Sequence, residues 1–289
     1  MKSKSSLSKI IAGTMHWGVW GKKMSSAEMI QLINCCLENN ITTFDHADIY
    51  GGYTTEADFG MAFKQGNFNR NEIQLITKCG IQSISNNRPT TVKHYDYSEK
   101  HIIWSVENSL KNLQTDFVDV LLLHRPSPLM QADEIANAIE KLKAQGKIID
   151  FGLSNFSSSQ TELIRQKTEV LYNQIQFAVT QLEPMTDGSL DYMQIHGIQP
   201  LSWNPLGSVF KENSAKSTRI QQVLSILEKK YALSSDVLLL SWVMQHPAKV
   251  NPVVGTTNFD RIKQTQNTTV LELQDWFLLW EASLGTTVP

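Results

Sequence analysis

The chain has 289 residues, 41% of them apolar and 19% charged, with 26 basic against 28 acidic side chains and a formal net charge of −2. That composition excludes a disordered, collagen-like or strongly basic chain. It leaves no electrostatic reason for nucleic acid or an anionic membrane as a partner. The length suits one large α/β domain, and residues 1–289 are read as a single one.

In chain order, Met1-Lys2-Ser3-Lys4 leads into Ile10 and Ile11. Gly13, Thr14, His16, Trp17, Gly18 and Trp20 follow where a signal peptide would carry a small-residue cleavage site. The pattern is that of a strand running into a loop. Ser25-x-x-Glu28 is a capping box that opens a helix. The next strand ends at Asp45, and the one after it runs through 73–76 to Lys78. Residues 80–97 have no helical period and carry Asn86, Asn87, Pro89, Tyr95 and Tyr97. They read as an irregular excursion, either draped over a pocket mouth or standing in solvent. Ile103, Val106, Leu110 and Leu113 share a helix face, as do Ile135, Ile139 and Leu142. A strand over 118–123 leads to His124, and another ends at Ser154 ahead of a second capping box, Ser157-x-x-Gln160. The run 170–175 continues to Gln176, and the last two strands end near Trp203 and Gly255. Helical patterns at 236–245 and 271–284 lie beyond the regular alternation.

Eight strand-like runs alternating with helical stretches predict a parallel sheet. Residues 118–123 and 170–175 are apolar enough to be covered on both faces. The expected fold is an α/β (β/α)₈ TIM barrel with additional C-terminal helices. A doubly wound sheet is the competitor, but its GxGxxG turn is absent, and so is a P-loop. Cys35, Cys36 and Cys79 form no CxxC pair and no even framework, and are read as reduced, small apolar side chains of a cytoplasmic protein. Asn40-Ile41-Thr42 and Asn155-Phe156-Ser157 match the glycosylation pattern by chance. No run approaches the ~18 apolar residues of a membrane span, and no membrane partner is expected.

A barrel does its chemistry at the C-terminal ends of its strands. Asp45 and Tyr50, Lys78, His124, Ser154 and Asn155, Gln174 and Gln176, and Trp203 fall there. An unpaired ammonium at Lys78 would be costly beside the apolar run, and Asp45 can pair with it. A cation near Tyr50 lowers the phenol toward a usable general acid. His124 can orient a carbonyl oxygen through a hydrogen bond. Each residue alone also has a plain structural reading. Asp45 can be a strand-end residue, Tyr50 packing beside Gly51-Gly52, Lys78 a solvent-exposed amine and His124 a strand cap. Trp17, Trp20, Tyr95 and Tyr97 either line an aromatic mouth or pack at the barrel's end. Composition and spacing reach a polar barrel-mouth site and leave the reaction open.

The motifs at these positions resemble the aldo-keto reductase family. Asp45-His46-Ala47-Asp48-Ile49-Tyr50-Gly51 is similar to its second-strand motif. Thr77-Lys78, Leu122-Leu123-His124-Arg125-Pro126, Gly152-Leu153-Ser154-Asn155-Phe156, Asn173-Gln174, Pro205-Leu206-Gly207 and Gly255-Thr256-Thr257 with Arg261 follow in the family's order. Residues 275–282 resemble its last helix. The long loop after Lys78 points to a bacterial subgroup of uncharacterised reductases. The resemblance implies reduction of aldehydes or ketones with NADPH, NADH being the alternative cofactor, by a monomer or small homo-oligomer. It implies Tyr50 as general acid, Lys78 and Asp45 as its tuning pair, and His124 as the carbonyl orienter. Ser154, Asn155 and Gln174 would hold the nicotinamide carboxamide, Trp203 would stack on its face, and Pro205, Leu206 and Gly207 would line the pyrophosphate. Thr14, Met15, Asp45, Gly255, Thr256, Thr257, Arg261 and Gln264 complete the implied cofactor contacts, and Trp17, Trp20, Tyr50 and His124 those to substrate. Many members carry a lysine for the 2′-phosphate where this chain has Gly255. The alternatives are a non-catalytic, cofactor-sensing regulatory protein and a barrel lyase using Lys78 as a Schiff-base residue.

Overall fold

Strands β1 (Ile11–Gly13), β2 (Thr43–Asp45) and β3 (Gln74–Cys79) open the chain. A small pair, β4 (Ile81–Gln82) and β5 (His94–Tyr95), follows. Then come β6 (Val118–Leu123), β7 (Ile148–Ser154), β8 (Tyr172–Gln176), β9 (Gln199–Trp203) and β10 (Asn251–Val254). Eight of them close a parallel barrel in the order β1-β10-β9-β8-β7-β6-β3-β2. This is a computed structural model, and it describes residues 6–289. The Met1-Lys2-Ser3-Lys4 start lies outside the described residues.

Helices α1 (Ser26–Glu38), α2 (Thr55–Gln65), α3 (Glu99–Leu113), α4 (Ala132–Ala144) and α5 (Ser158–Arg165) pack in succession around the barrel. They are followed by α6 (Ser189–His196), α7 (Ala215–Tyr231), α8 (Ser235–Met244), α9 (Phe259–Gln264) and α10 (Leu273–Leu284). Both expected capping boxes form, Ser25 with Glu28 and Ser157 with Gln160, so the orphan amides of α1 and α5 are satisfied locally. The two extra helical patterns are α8 and α10. They meet where Trp242 and Trp276 stack at 4.8 Å, each indole N–H donating to the other's carbonyl at 3.0 Å.

Side chains alternate across each strand, and the alternation selects the site. Ile11, Ile76, Val120, Leu122, Tyr172, Leu201 and Val253 fill the barrel interior. Phe44, Leu75, Leu121, Phe151 and Leu153 belong instead to the layer between barrel and helices. The same parity turns Asp45, Lys78, His124, Ser154, Gln174 and Trp203 inward, one level above that plug.

Residues 80–97 differ from the expected irregular excursion. Ile81 pairs with Tyr95 and Gln82 with His94 in an antiparallel hairpin. Tyr97 does not drape over the mouth. It is buried, packed against Gly80, with its hydroxyl donating to the Arg125 carbonyl and accepting from the Arg125 amide. Tyr95 likewise packs on the core. Trp17 is a second correction. It is 1% exposed, its ring 6.1 Å from Phe44 and 5.9 Å from Phe59, because the turn after β1 folds it into the outer apolar layer.

Strand β7 passes so close to β8 that a Cβ on Gly152 would lie 2.6 Å from the Tyr172 carbonyl oxygen and 2.8 Å from Leu122 Cδ2. Overpacking of this kind costs about 1–3 kcal/mol. Gly152→Ala is therefore expected to lower Tm by several degrees in a thermal melt, and an unchanged Tm would mean that the barrel has slack at this point.

Candidate active site

Lys78 ends an inward row of β3 and has no exposed surface, so its ammonium must be compensated inside the protein. Its Nζ donates to both carboxylate oxygens of Asp45 at 2.8 Å, to the His46 carbonyl at 2.8 Å and to Tyr50 Oη at 3.1 Å. An ammonium has three protons and accepts none. Tyr50 Oη is thus an acceptor from Lys78, and its own hydrogen is turned elsewhere. The Gln174 side-chain amide donates to Asp45 Oδ1 at 3.0 Å and completes the carboxylate's shell.

Burial pushes the Tyr50 phenol above its ordinary value, and Lys78 pulls it back only in part. The expected net lowering does not occur, because desolvation of a phenolate here outweighs the nearby cation. Burial also works against the Lys78 ammonium, but Asp45 and Tyr50 hold it above its usual value. The pair therefore rests as an ammonium and a neutral phenol.

His124 follows β6 and meets the Tyr50 ring edge-on at 6.1 Å between centroids. Its Nδ1 is buried without a hydrogen-bond partner. Burial, with Lys78 and the cations of Arg125 and Lys93, holds it well below the ordinary imidazole value. Trp20, 46% exposed, lies 6.3 Å from Tyr50 and is the one expected aromatic that stands at the mouth. Phenol, imidazole and indole thus face one opening.

Beside them Ser154 Oγ donates to the Gln174 carbonyl at 3.0 Å. Asn155, in left-handed backbone at φ 63°, donates to Ser154 Oγ at 2.8 Å and to the His124 carbonyl at 3.3 Å. The Trp203 indole donates to Asn155 Oδ1 at 2.8 Å. These bonds tie the ends of β6, β7, β8 and β9 into one rim. Pro205, Leu206 and Gly207 make the next turn, where Gly207 at φ 58° leaves room for the Thr180 hydroxyl.

Across the opening, His16, Gly21, Lys22, Gly255, Thr256, Thr257, Asn258 and Arg261 line a cavity of about 630 Å³. Three basic side chains face this space, and no acidic one does among the described residues. His16 and Lys22 escaped the sequence reading, because nothing in the β1–α1 loop says that it folds back onto the residues after β10. Met15 stands partly exposed in the same loop. Thr14 is wholly buried and donates to the Asp45 carbonyl at 3.0 Å, so its side chain orders the end of β1 instead of facing a ligand. The Gln264 side chain accepts from Ser234 at 3.0 Å.

The sequence profile described as "Aldo/keto reductase family" matches residues 9–277. The chain is 41% identical to the uncharacterized oxidoreductase YcsN of Bacillus subtilis, over 98% of this chain and 96% of that one. It is 36% identical to 6-dehydroglucose reductase of Agrobacterium fabrum, over 100% of this chain and 98% of that one. Among solved structures it is similar to a glycerol dehydrogenase from Gluconobacter oxydans, with TM-score 0.85 and 20% identity over 97% of this chain and 92% of that one, a likeness of fold alone. No helix among the described residues is long and apolar enough to cross a membrane.

His124 is expected to stay neutral throughout the physiological range. Its depressed value means that the folded imidazole stays unprotonated as pH falls through 6.5, where an exposed histidine takes up its proton. The ¹⁵N shifts of its ring should remain those of a neutral imidazole from about pH 8 to pH 5, whereas a midpoint near 6.5 would refute its burial.

Proposed function

The chain belongs to the aldo/keto reductase family, which carries out nicotinamide-dependent oxidoreduction of carbonyls, and on that premise we propose that it reduces aldehydes or ketones with NADPH, using Tyr50 as the general acid. The observation that carries this reading is the proton arrangement at Lys78. With that ammonium's hydrogens engaged by Asp45, His46 and Tyr50, the phenol retains one hydrogen for a substrate oxygen.

The residues present fit the cofactor. The basic lining of His16, Lys22 and Arg261, with the hydroxyls of Thr256 and Thr257, suits a phosphate-bearing ligand. It offsets the missing cation at Gly255 and favours the additional 2′-phosphate of NADPH. Ser154, Asn155, Gln174 and Trp203 would hold the nicotinamide end, and Pro205, Leu206 and Gly207 the pyrophosphate. A reduced nicotinamide bound there supplies a hydride.

The protein's own part is proton delivery and orientation. A carbonyl oxygen between Tyr50 and His124 accepts the phenolic hydrogen and a hydrogen bond from the neutral imidazole. As negative charge develops on that oxygen, Tyr50 gives up its proton. The Lys78 ammonium, 3.1 Å away, stabilises the phenolate left behind. Water relayed past the exposed Trp20 edge restores the proton. The Schiff-base alternative requires a neutral amine with room for a carbonyl carbon, and Lys78 has neither.

The substrate class is the family's carbonyl. The Agrobacterium relative's name makes 6-dehydroglucose a member of the first test panel, beside simple aldehydes and ketones.

Tyr50→Phe keeps the ring and removes the donor. Its kcat is expected to fall about 10²–10⁴-fold with NADPH affinity unchanged, as general acid catalysis contributes on that scale. Activity within about fivefold of wild type would remove Tyr50 from the acid's role. For the cofactor, Arg261→Ala should weaken NADPH by roughly 1.5–3 kcal/mol, the worth of a charge-assisted contact, and NADH much less, measured by fluorescence titration. Gly255→Lys should tighten NADPH selectively, because a Cβ there meets nothing closer than His16 Nδ1 at 3.6 Å. Equal effects on both cofactors would place the 2′-phosphate elsewhere.

A further inference from the structure

The turn that carries Tyr50 is strained. Gly51, Gly52 and Tyr53 follow it at φ 62°, 64° and 74°, three successive left-handed residues of which one carries a side chain. Such backbone persists only where its surroundings over-determine it. The Gly52 and Tyr53 amides close the turn on the Ile49 carbonyl, and from outside it is held by the hairpin 81–95. The Ser83 amide donates to Tyr53 Oη at 2.8 Å. Ser85 Oγ and Asn87 Nδ2 both donate to the Gly52 carbonyl, at 3.1 and 2.8 Å. Arg88 reaches furthest. Its Nη1 donates to Asp48 Oδ2 at 3.3 Å, and its guanidinium lies 4.0 Å from the Tyr53 ring and 4.6 Å from that of Trp104.

Asp48 stands two residues before Tyr50 and has no exposed carboxylate surface. Ser105 donates to its Oδ2 at 2.9 Å, and its Oδ1 has no partner. Arg88 is the cation that balances this buried charge. One side chain from the hairpin thus grips both flanks of the turn, Asp48 before Tyr50 by charge and Tyr53 after it by stacking. The hairpin's root is anchored beside His124, through Tyr97 on the Arg125 backbone.

We propose that Arg88 is a positioning residue for Tyr50, and that the hairpin is a brace on the proton donor and not a lid over the substrate. Resting on the reading of Tyr50 as general acid, the proposal assigns Arg88 no contact with substrate or cofactor. Its effect is on the reach of the phenolic oxygen between Lys78 and the substrate. A misplacement on the order of 1 Å at a reacting group suffices for about a hundredfold loss of rate.

The test is Arg88→Met, which keeps length and contact with the two rings and removes the charge. The expected result is a kcat about 10- to 100-fold lower for every carbonyl in the panel, with NADPH affinity by fluorescence titration held within twofold. Hydrogen exchange at the amides of residues 51–54 should quicken. Asp48→Asn in the Arg88→Met background should recover part of the kcat, because it removes the carboxylate left without its cation. Arg88→Lys, which keeps a cation near Asp48 and loses the stacked plane, should fall between wild type and Arg88→Met. It serves as the test should the methionine variant not fold. Unchanged kcat and unchanged exchange at 51–54 in the folded variant would overturn the proposal, as would a change in KM that differs among substrates while kcat holds. The exchange measurement separates this proposal from the reading beneath it. If Tyr50→Phe stays active, the catalytic half falls whatever Arg88 does. If Tyr50→Phe is inactive while Arg88→Met is wild-type in both rate and exchange, only the brace falls.

Discussion

The buried ion pair between Lys78 and Asp45 is the constraint on which the site depends. Lys78 has no solvent contact, so its charge is stable only because Asp45 meets it with both oxygens at 2.8 Å. Breaking such a pair from one side typically costs about 3–5 kcal/mol, since it strands a charge in the interior. The same pair acts, together with burial, on the protonation of its neighbours. It directs the Tyr50 hydrogen away from Lys78, and its cation helps to hold His124 neutral. The residues that surround the pair are thereby ordered as donors toward a single opening.

Barrel closure brings these groups together. Asp45, Lys78, His124, Ser154, Gln174 and Trp203 come from six strands, yet they share one parity and one end. Below them the interior is filled by Ile76, Val120, Leu122, Leu201 and Val253, an apolar layer on which the polar groups of the mouth rest. The rim is then cross-linked by side chains. Gln174 reaches Asp45 across the barrel, and Asn155 links Ser154, His124 and Trp203. Rigid strands set the positions, and these bonds set the orientations.

Tyr50 is the exception, since it sits on a loop and not on a strand. Its turn uses left-handed backbone at Gly51, Gly52 and Tyr53, closed by the Gly52 and Tyr53 amides on the Ile49 carbonyl and by the Thr54 and Thr55 amides on that of Tyr50. The hairpin after β3 adds contacts from outside through Ser83, Ser85, Asn87 and Arg88. Two loops that are separate in sequence thus behave as one unit around Tyr50. The cavity lined by the first and last loops has a similar logic, where His16 and Lys22 from the first loop meet Arg261 from the last.

The sequence by itself determined the barrel, because alternation within strands, capping at Ser25 and Ser157, and the recurrence of strand and helix are local signals that the tertiary structure reinforces. It also placed Asp45, Lys78 and His124 at strand ends, where a parity of two leaves only one face for them. What it left open depended on contacts between segments far apart. Trp17 reads equally as a mouth residue or as packing until the β1–α1 loop is seen to fold its ring against Phe44 and Phe59. The stretch 80–97 lacks any period, and its order comes from pairing with itself and from the Tyr50 turn, so no local signal announces it. The direction of the Tyr50 shift was likewise out of reach. Proximity of Lys78 predicts a lowered phenol, and only the depth of burial shows that desolvation wins.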